Sequence, residues 1–295
     1  MVRTPRILIL SAIVAIAASY ATTWLMHAKE APVSRDASAR QESVYDRVMR
    51  TGTIRCGYAV WSPFITKMTN SGELGGIYHD YVEALGAALG LEIEWVEETS
   101  FGPHVEALRT GRFDAMCAGD WPSAARARFI DYPQPVLYVP VKAYAAAGDR
   151  RFDNALQSLN DPDATIAVVE GSTPFIIAHD MFPKASKIEL PELTDLSMPL
   201  LEVSGGKADV AFWSVPNASE FMARNPGKVR EIPGPGPLKL FASSLAVAHG
   251  ESRFRQMLSF ATRELLYSGE IDRIINKYEK YPGSLYRVAQ PYKTP

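Results

Sequence analysis

This sequence has little of what metal or redox chemistry needs. Only two of its 295 residues are cysteine, Cys56 and Cys117, and they form no C-x-x-C pair. Its five histidines are scattered, so no metal-ligand spacing appears, and no metal or other cofactor is expected. No Ser-His-Asp set, phosphate-cradling glycine loop or metal cluster is visible, and no catalytic residue is assigned. Neither sign of charge dominates. The 31 Lys and Arg against 33 Asp and Glu leave a net charge of −2, with no block of like charge. That balance argues against a nucleic-acid partner and gives no sign of strong attraction to a membrane surface.

What is present is ordinary in bulk and informative in order. Apolar residues at 47% and charged residues at 22% suit a soluble globular chain, long enough for one or two domains with an ample core. The exception is the N-terminus. Arg3 and Arg6 precede residues 7–26, a run of 20 residues without charge and long enough to span a bilayer. Ser19-Tyr-Ala21 supplies the small residues that a signal peptidase reads. Residues 1–28 are therefore a signal peptide or an uncleaved membrane anchor. Both put the rest of the chain outside the cytoplasm, the second tied to the membrane by residues 7–26, and the leading arginines agree with that orientation. Membrane contact is expected only through this segment. No cysteine follows the run closely, which argues against a lipid anchor. Residues 29–43 are Ala, Ser, Pro and charge without period, a linker.

The folded part alternates strand and helix. Strand patterns at residues 53–59, 91–96 and 113–118 are separated by helical patterns at 78–89 and 105–109. The order begins again after residue 160, with strands at 165–169, 187–190 and 208–213 and helices at 174–181 and 196–203. Helices at 253–268 and 271–278 close the chain. The pattern predicts an α/β protein with mostly parallel sheets flanked by helices, in two similar halves. Gly119-Asp120-Trp121-Pro122 reads as the stop of the third strand. Ser123 then stands where an N-cap belongs, with Arg126 in the first turn of a short helix. Backbone N–H groups of such a turn favour an anion, and a guanidinium beside them suits a carboxylate.

The motifs then fall into a known order. Gly52-Thr-Ile-Arg-Cys-Gly-Tyr58 and Ser62-Pro-Phe64 come first. Gly76-Ile-Tyr-His-Asp80, Leu108-Arg-Thr-Gly-Arg-Phe-Asp114, Ser123-Ala-Ala-Arg126 and Asp131-Tyr-Pro-Gln-Pro135 follow. The second half adds Val169-Glu-Gly-Ser-Thr173, Gly206-Lys-Ala-Asp209 and the helix from Ser268 to Tyr278. From residue 44 to about 282, the sequence resembles the type II periplasmic solute-binding proteins that serve polar amino-acid ABC transporters. The resemblance implies a two-lobed clamshell. Residues 44–140 plus 245–285 would form lobe I, residues 141–244 lobe II and residues 286–295 a tail, with crossings near 138–146 and 238–245. It implies a monomer that captures a small polar solute, carboxylate-bearing in this reading, and hands it to a transporter permease. The same clamshell also serves cyclohexadienyl dehydratases and sensory modules, which remain the alternatives.

In open α/β sheets ligands sit at the carboxyl ends of strands. The candidate ligand contacts are thus Tyr58, Trp61, Phe64, Gly119, Asp120, Trp121, Ser123 and Arg126 in lobe I, and Ser172, Thr173, Trp213 and Ser214 in lobe II. The resemblance gives Arg126 the ligand carboxylate, Ser123 a supporting role, and Ser172 and Thr173 the closure onto the same group. The chain departs from the family at Ser214, where amino-acid binders usually carry an Asp for the ligand ammonium. Either the ligand lacks an α-amino group in the usual place or another acid serves it, with Asp120 the nearest candidate, against a plain turn role. Trp61, Trp121 and Trp213 suit stacking on a planar or cationic ligand. Cys56 and Cys117 fall on neighbouring strands of the implied fold. An oxidising compartment favours their pairing, but adjacent parallel strands often hold side chains badly for a bridge, so free thiols are expected.

Overall fold

A computed structural model describes residues 42–288, apart from 192, 193 and 196. The uncharged segment 7–26, the linker to residue 41 and the last seven residues lie outside the described residues. The strands are β1 (Thr53–Tyr58), β2 (Thr66–Lys67), β3 (Leu74–Gly75), β4 (Glu92–Glu98), β5 (Ala115–Asp120), β6 (Ile130–Asp131) and β7 (Leu137–Ala146). They continue as β8 (Thr165–Val169), β9 (Ser186–Leu190), β10 (Val210–Ser214), β11 (Val229–Glu231), β12 (Lys239–Ala248) and β13 (Tyr286–Arg287). The helices are α1 (Val44–Thr51), α2 (Ile77–Leu89), α3 (His104–Arg109), α4 (Thr173–Met181), α5 (Met198–Ser204), α6 (Val215–Arg224), α7 (Ser252–Tyr267) and α8 (Glu270–Tyr278).

The main sheet runs β4-β1-β5-β12-β7-β10-β8-β9. Parallel pairs lie at its two ends, β4-β1-β5 and β10-β8-β9. The middle is antiparallel. Strands β7 and β12 pair from Leu137 opposite Ser243 to Val141 opposite Lys239. Beyond that stretch β12 pairs with β5 and β7 with β10. These two strands therefore carry the chain between the two halves.

Burial divides at the same place. One core gathers apolar side chains from Val48 to Val139 and from Leu245 to Leu285. Two smaller clusters, from Val141 to Ile232, cover the two faces of the second half. Strand β5 is buried at every position, as expected of a strand covered on both faces.

The repeated Gly-x-x-Asp pattern has a structural meaning. Asp114 accepts the Arg55 N–H at 2.7 Å, and Asp209 accepts the Thr165 N–H at 2.8 Å. Each carboxylate thus ties the entry of one strand to the start of its parallel neighbour. Arg47 and Arg55 neutralise Asp114, and Arg151 neutralises Asp209, so neither acid is buried without a partner.

Three local expectations are corrected. Cys56 and Cys117 are joined in a disulfide rather than free. Cys56 lies opposite Ala115, so Cys117 stands two residues further along the same face. This diagonal placement leaves the Cα atoms 5.6 Å apart, inside the span of a bridge. Gly119 and Asp120 do not stop the third strand. They belong to it, because β12 pairs alongside with Ser244 opposite Asp120. Nor does an α-helix follow Ser123. The chain makes a turn closed by the Ala127 N–H on the Ser123 carbonyl at 3.0 Å, then a three-residue 3-10 helix, Arg126–Arg128.

Candidate functional site

The carboxyl ends of β5, β8 and β10 converge on a cavity of about 310 Å³ between the halves, a size suited to a small solute. From the first half it is lined by Val60, Trp61, Phe101, Asp120, Trp121 and Arg126, together with Ser100, Gly102 and Gly119. The second half contributes Val169 to Pro174, Thr194, Trp213 and Ser214. Nine of the twelve expected contacts therefore come together: Trp61, Gly119, Asp120, Trp121, Arg126, Ser172, Thr173, Trp213 and Ser214. Tyr58, Phe64 and Ser123 do not line it. Tyr58 is buried edge-on to Trp95, and Phe64 is buried between Trp61 and Tyr78. The Ser123 hydroxyl accepts the Arg126 N–H at 3.4 Å, which supports the turn that carries Arg126.

Gly119 is required where it stands. Its φ is +82°, and a Cβ there would come within 2.5 Å of the Tyr78 ring and 2.9 Å of Ser243 Oγ. Only glycine lets β5 pass this close and still present Asp120 beside the cavity.

Asp120 is 1% exposed and takes four donors. Oδ1 accepts the Trp121 N–H at 2.8 Å and Arg126 Nη1 at 2.9 Å. Oδ2 accepts His104 Nε2 at 3.0 Å and the Tyr132 hydroxyl at 3.2 Å. Burial and the Asp120 charge hold the Tyr132 hydroxyl well above the ordinary tyrosine pKa, so it remains a donor. A carboxylate offers about four lone-pair positions, and all four are used. Asp120 therefore positions and neutralises Arg126 and has no acceptor capacity left for a ligand ammonium. The Arg126 side chain is 24% exposed, donates through Nη1 to Asp120 and lies beside the Tyr132 hydroxyl, and the N–H groups of its five-donor fork that remain suit an anion.

Across the cavity, Ser172 caps α4, accepting the Phe175 N–H at 3.2 Å. Its neighbour Thr173 is the first helical residue, so the positive end of the helix dipole faces the same space. Ser214 is 3% exposed, and its hydroxyl donates to Asn217 Oδ1. Asn217 also accepts Trp61 Nε1 at 3.0 Å and donates to the Ser62 carbonyl at 2.7 Å. With Lys280 and Tyr281 bonded to Glu220, these contacts hold the two halves together. Trp121 stacks on Phe241 at 4.7 Å and meets Trp61 edge-on at 5.3 Å.

His104, Tyr132 and Asn217 escaped the sequence reading. His104 sits in a helix start marked only by Gly102-Pro103, and Asn217 only by Pro216. Neither carries a spacing that announces a contact more than ten residues away in sequence. Among the described residues no cluster of metal-ligating side chains occurs, and no helix is long and apolar enough to cross a membrane.

This arrangement, a cavity at strand ends between two α/β halves joined by two crossing strands, is that of a two-lobed binding protein. Residues 54–281 match the family of bacterial extracellular solute-binding proteins, family 3, and the chain belongs to that family. A search of curated proteins found no match. Among solved structures, the ancestral amino acid-binding protein AncCDT-1, a precursor of cyclohexadienyl dehydratase, is 24% identical with a TM-score of 0.69, covering 81% of this chain and 100% of its own. A binding component of an ABC transporter from Wolinella succinogenes, complexed with lysine, is 21% identical with a TM-score of 0.69, covering 78% and 97%. An amino acid ABC transporter substrate-binding protein from Streptococcus pneumoniae, bound to L-arginine, is 20% identical with a TM-score of 0.66, covering 83% and 100%. These likenesses concern the fold.

Proposed function

We propose that this protein captures a small polar, carboxylate-bearing solute, an amino acid or a related compound, between its lobes and delivers it to an ABC transporter permease. Residues 44–140 plus 245–285 act as lobe I and residues 141–244 as lobe II. The chain works as a periplasmic monomer, exported by residues 1–28 and tied to the inner membrane where that segment is not cleaved. The observation that carries the reading is the free part of the Arg126 fork opposite the amino end of α4, two features that both favour an anion. The family and the amino-acid ligands of the similar structures support it, and the disulfide suits an oxidising compartment.

Magnitudes limit what Arg126 does. A charge-assisted hydrogen bond contributes roughly 1.5–3 kcal/mol, whereas micromolar binding needs about 8 kcal/mol. Apolar contact with Trp61, Phe101, Trp121 and Trp213 must supply much of the rest. The test is a melting-temperature screen of the purified protein against a metabolite panel. A solute at about 100 times its Kd adds about 2.7 kcal/mol of stability. Arg126→Ala is expected to weaken the best binder at least tenfold, about 1.4 kcal/mol, and Arg126→Lys to recover only part. A panel without carboxylate-bearing hits, or an unchanged affinity in Arg126→Ala, contradicts the proposal.

A further inference from the structure

We infer that Glu170 is the acid that receives the cationic group of the solute, in place of the aspartate missing at position 214. The inference rests on the reading of the cavity as a solute site and deepens it, because it assigns the solute both charges.

Among the described residues, three charged side chains line the cavity: Asp120, Arg126 and Glu170. Asp120 has used its acceptor positions on four protein donors. Glu170 has no side-chain partner among the described residues. Among the described lining residues, its carboxylate is the acid with open acceptor capacity, which a ligand ammonium requires if it is to leave water.

The sheet explains why this position can replace Ser214. Strands β8 and β10 are parallel neighbours, with Ile166 opposite Val210 and Ala167 opposite Ala211. Extending that register three residues, one past the end of β8, would bring Glu170 level with Ser214, one strand over. Neighbouring strands lie about 4.8 Å apart, so a glutamate, longer than aspartate by one methylene, reaches the space that an acid at 214 would serve. Ser214 itself is engaged with Asn217 and cannot meet a charge. A solute with a cation beside its carboxylate, as an amino acid has, sets one charge against Arg126 and the opposite charge against Glu170.

The test is calorimetric titration with the twenty standard L-amino acids and with the 2-oxo acid of the tightest binder, which lacks the ammonium. Wild type is expected to prefer the amino acid by about tenfold or more, the scale of one lost ion pair. Glu170→Gln is expected to weaken the amino acid by that factor, to change the 2-oxo acid by less than about threefold, and to leave the unliganded melting temperature unchanged. Adding Ser214→Asp to Glu170→Gln should restore part of the preference. An undiminished preference in Glu170→Gln overturns the inference, and so does a wild type that binds the 2-oxo acid as tightly as the amino acid. The two readings separate through Arg126→Ala. If it spares both solutes while Glu170→Gln abolishes the preference, the carboxylate assignment fails and the Glu170 assignment stands.

Discussion

Replacing Asp120 with asparagine separates the two roles an acid beside the cavity can have. The amide oxygen can still accept the Trp121 N–H and Arg126, but the Arg126 contact falls from an ion pair to a charge–dipole bond. The amide nitrogen then faces His104 and Tyr132, both donors in the native network. The Tyr132 hydroxyl can turn to accept. His104 can accept at Nε2 only by moving its proton to Nδ1, which is buried without a partner. An unsatisfied buried donor costs about 1–3 kcal/mol, and losing charge assistance costs about 1 kcal/mol more, so the expected loss is about 2–4 kcal/mol. For a chain of this size that corresponds to a melting-temperature fall of roughly 5–15 °C. Differential scanning calorimetry of the unliganded protein reads it directly. Solute affinity should fall by less than the stability, because the acceptor positions of Asp120 are taken by protein donors and Arg126 keeps its charge. A melting temperature within about 2 °C of wild type, together with lost binding, would refute the reasoning and make Asp120 a ligand group.

Further outcomes follow from other contacts. Replacing Cys56 and Cys117 by serine opens a loop of 61 residues, which on the chain-entropy model costs about 4 kcal/mol. The melting temperature should drop by roughly 8–16 °C, and a drop of only a degree or two would mean that the bridge constrains little. Asn217→Ala removes the contacts to Trp61 and the Ser62 carbonyl. Small-angle scattering should then show a larger unliganded radius of gyration, and an unchanged profile would show that closure does not depend on this bridge. Acid should loosen the neighbouring link. Burial raises the Glu220 carboxyl, but the Lys280 hydrogen bond, with the Lys280 and Arg224 charges, outweighs it, and the pKa lies below the ordinary 4.5. A depressed carboxylate stabilises above its unfolded pKa and loses that contribution as pH falls through the folded value. The Glu220→Gln radius should therefore respond less than wild type to acid below pH 4.5, and equal responses would exclude this link as the sensor.

The alternation of strand and helix was legible in the sequence because its signals are local. Gly90 ends α2 in the left-handed conformation, and Ser172 caps α4, each within one turn of the residue it serves. The loops at the strand ends were legible for the same reason, and most of the residues drawn from them line the cavity. What was not legible depends on partners distant in sequence. Asp120 reads as a turn residue until β12 is seen pairing beside it. The diagonal offset that lets Cys56 reach Cys117 is a property of sheet register, which strand patterns alone do not fix. Asn217 gains its role only when α6 meets the loop at Trp61, 156 residues away.

The central claim is that a carboxylate-bearing solute is held in the cavity between the lobes. The most direct test is a crystal structure of the protein with the tightest-binding L-amino acid from the screen. The account predicts the solute enclosed by Trp61, Trp121 and Trp213, its carboxylate hydrogen-bonded to Arg126 and its ammonium to Glu170. A solute bound outside this cavity, or bound inside it with Arg126 still paired only to Asp120 and no contact to the carboxylate, would contradict the account.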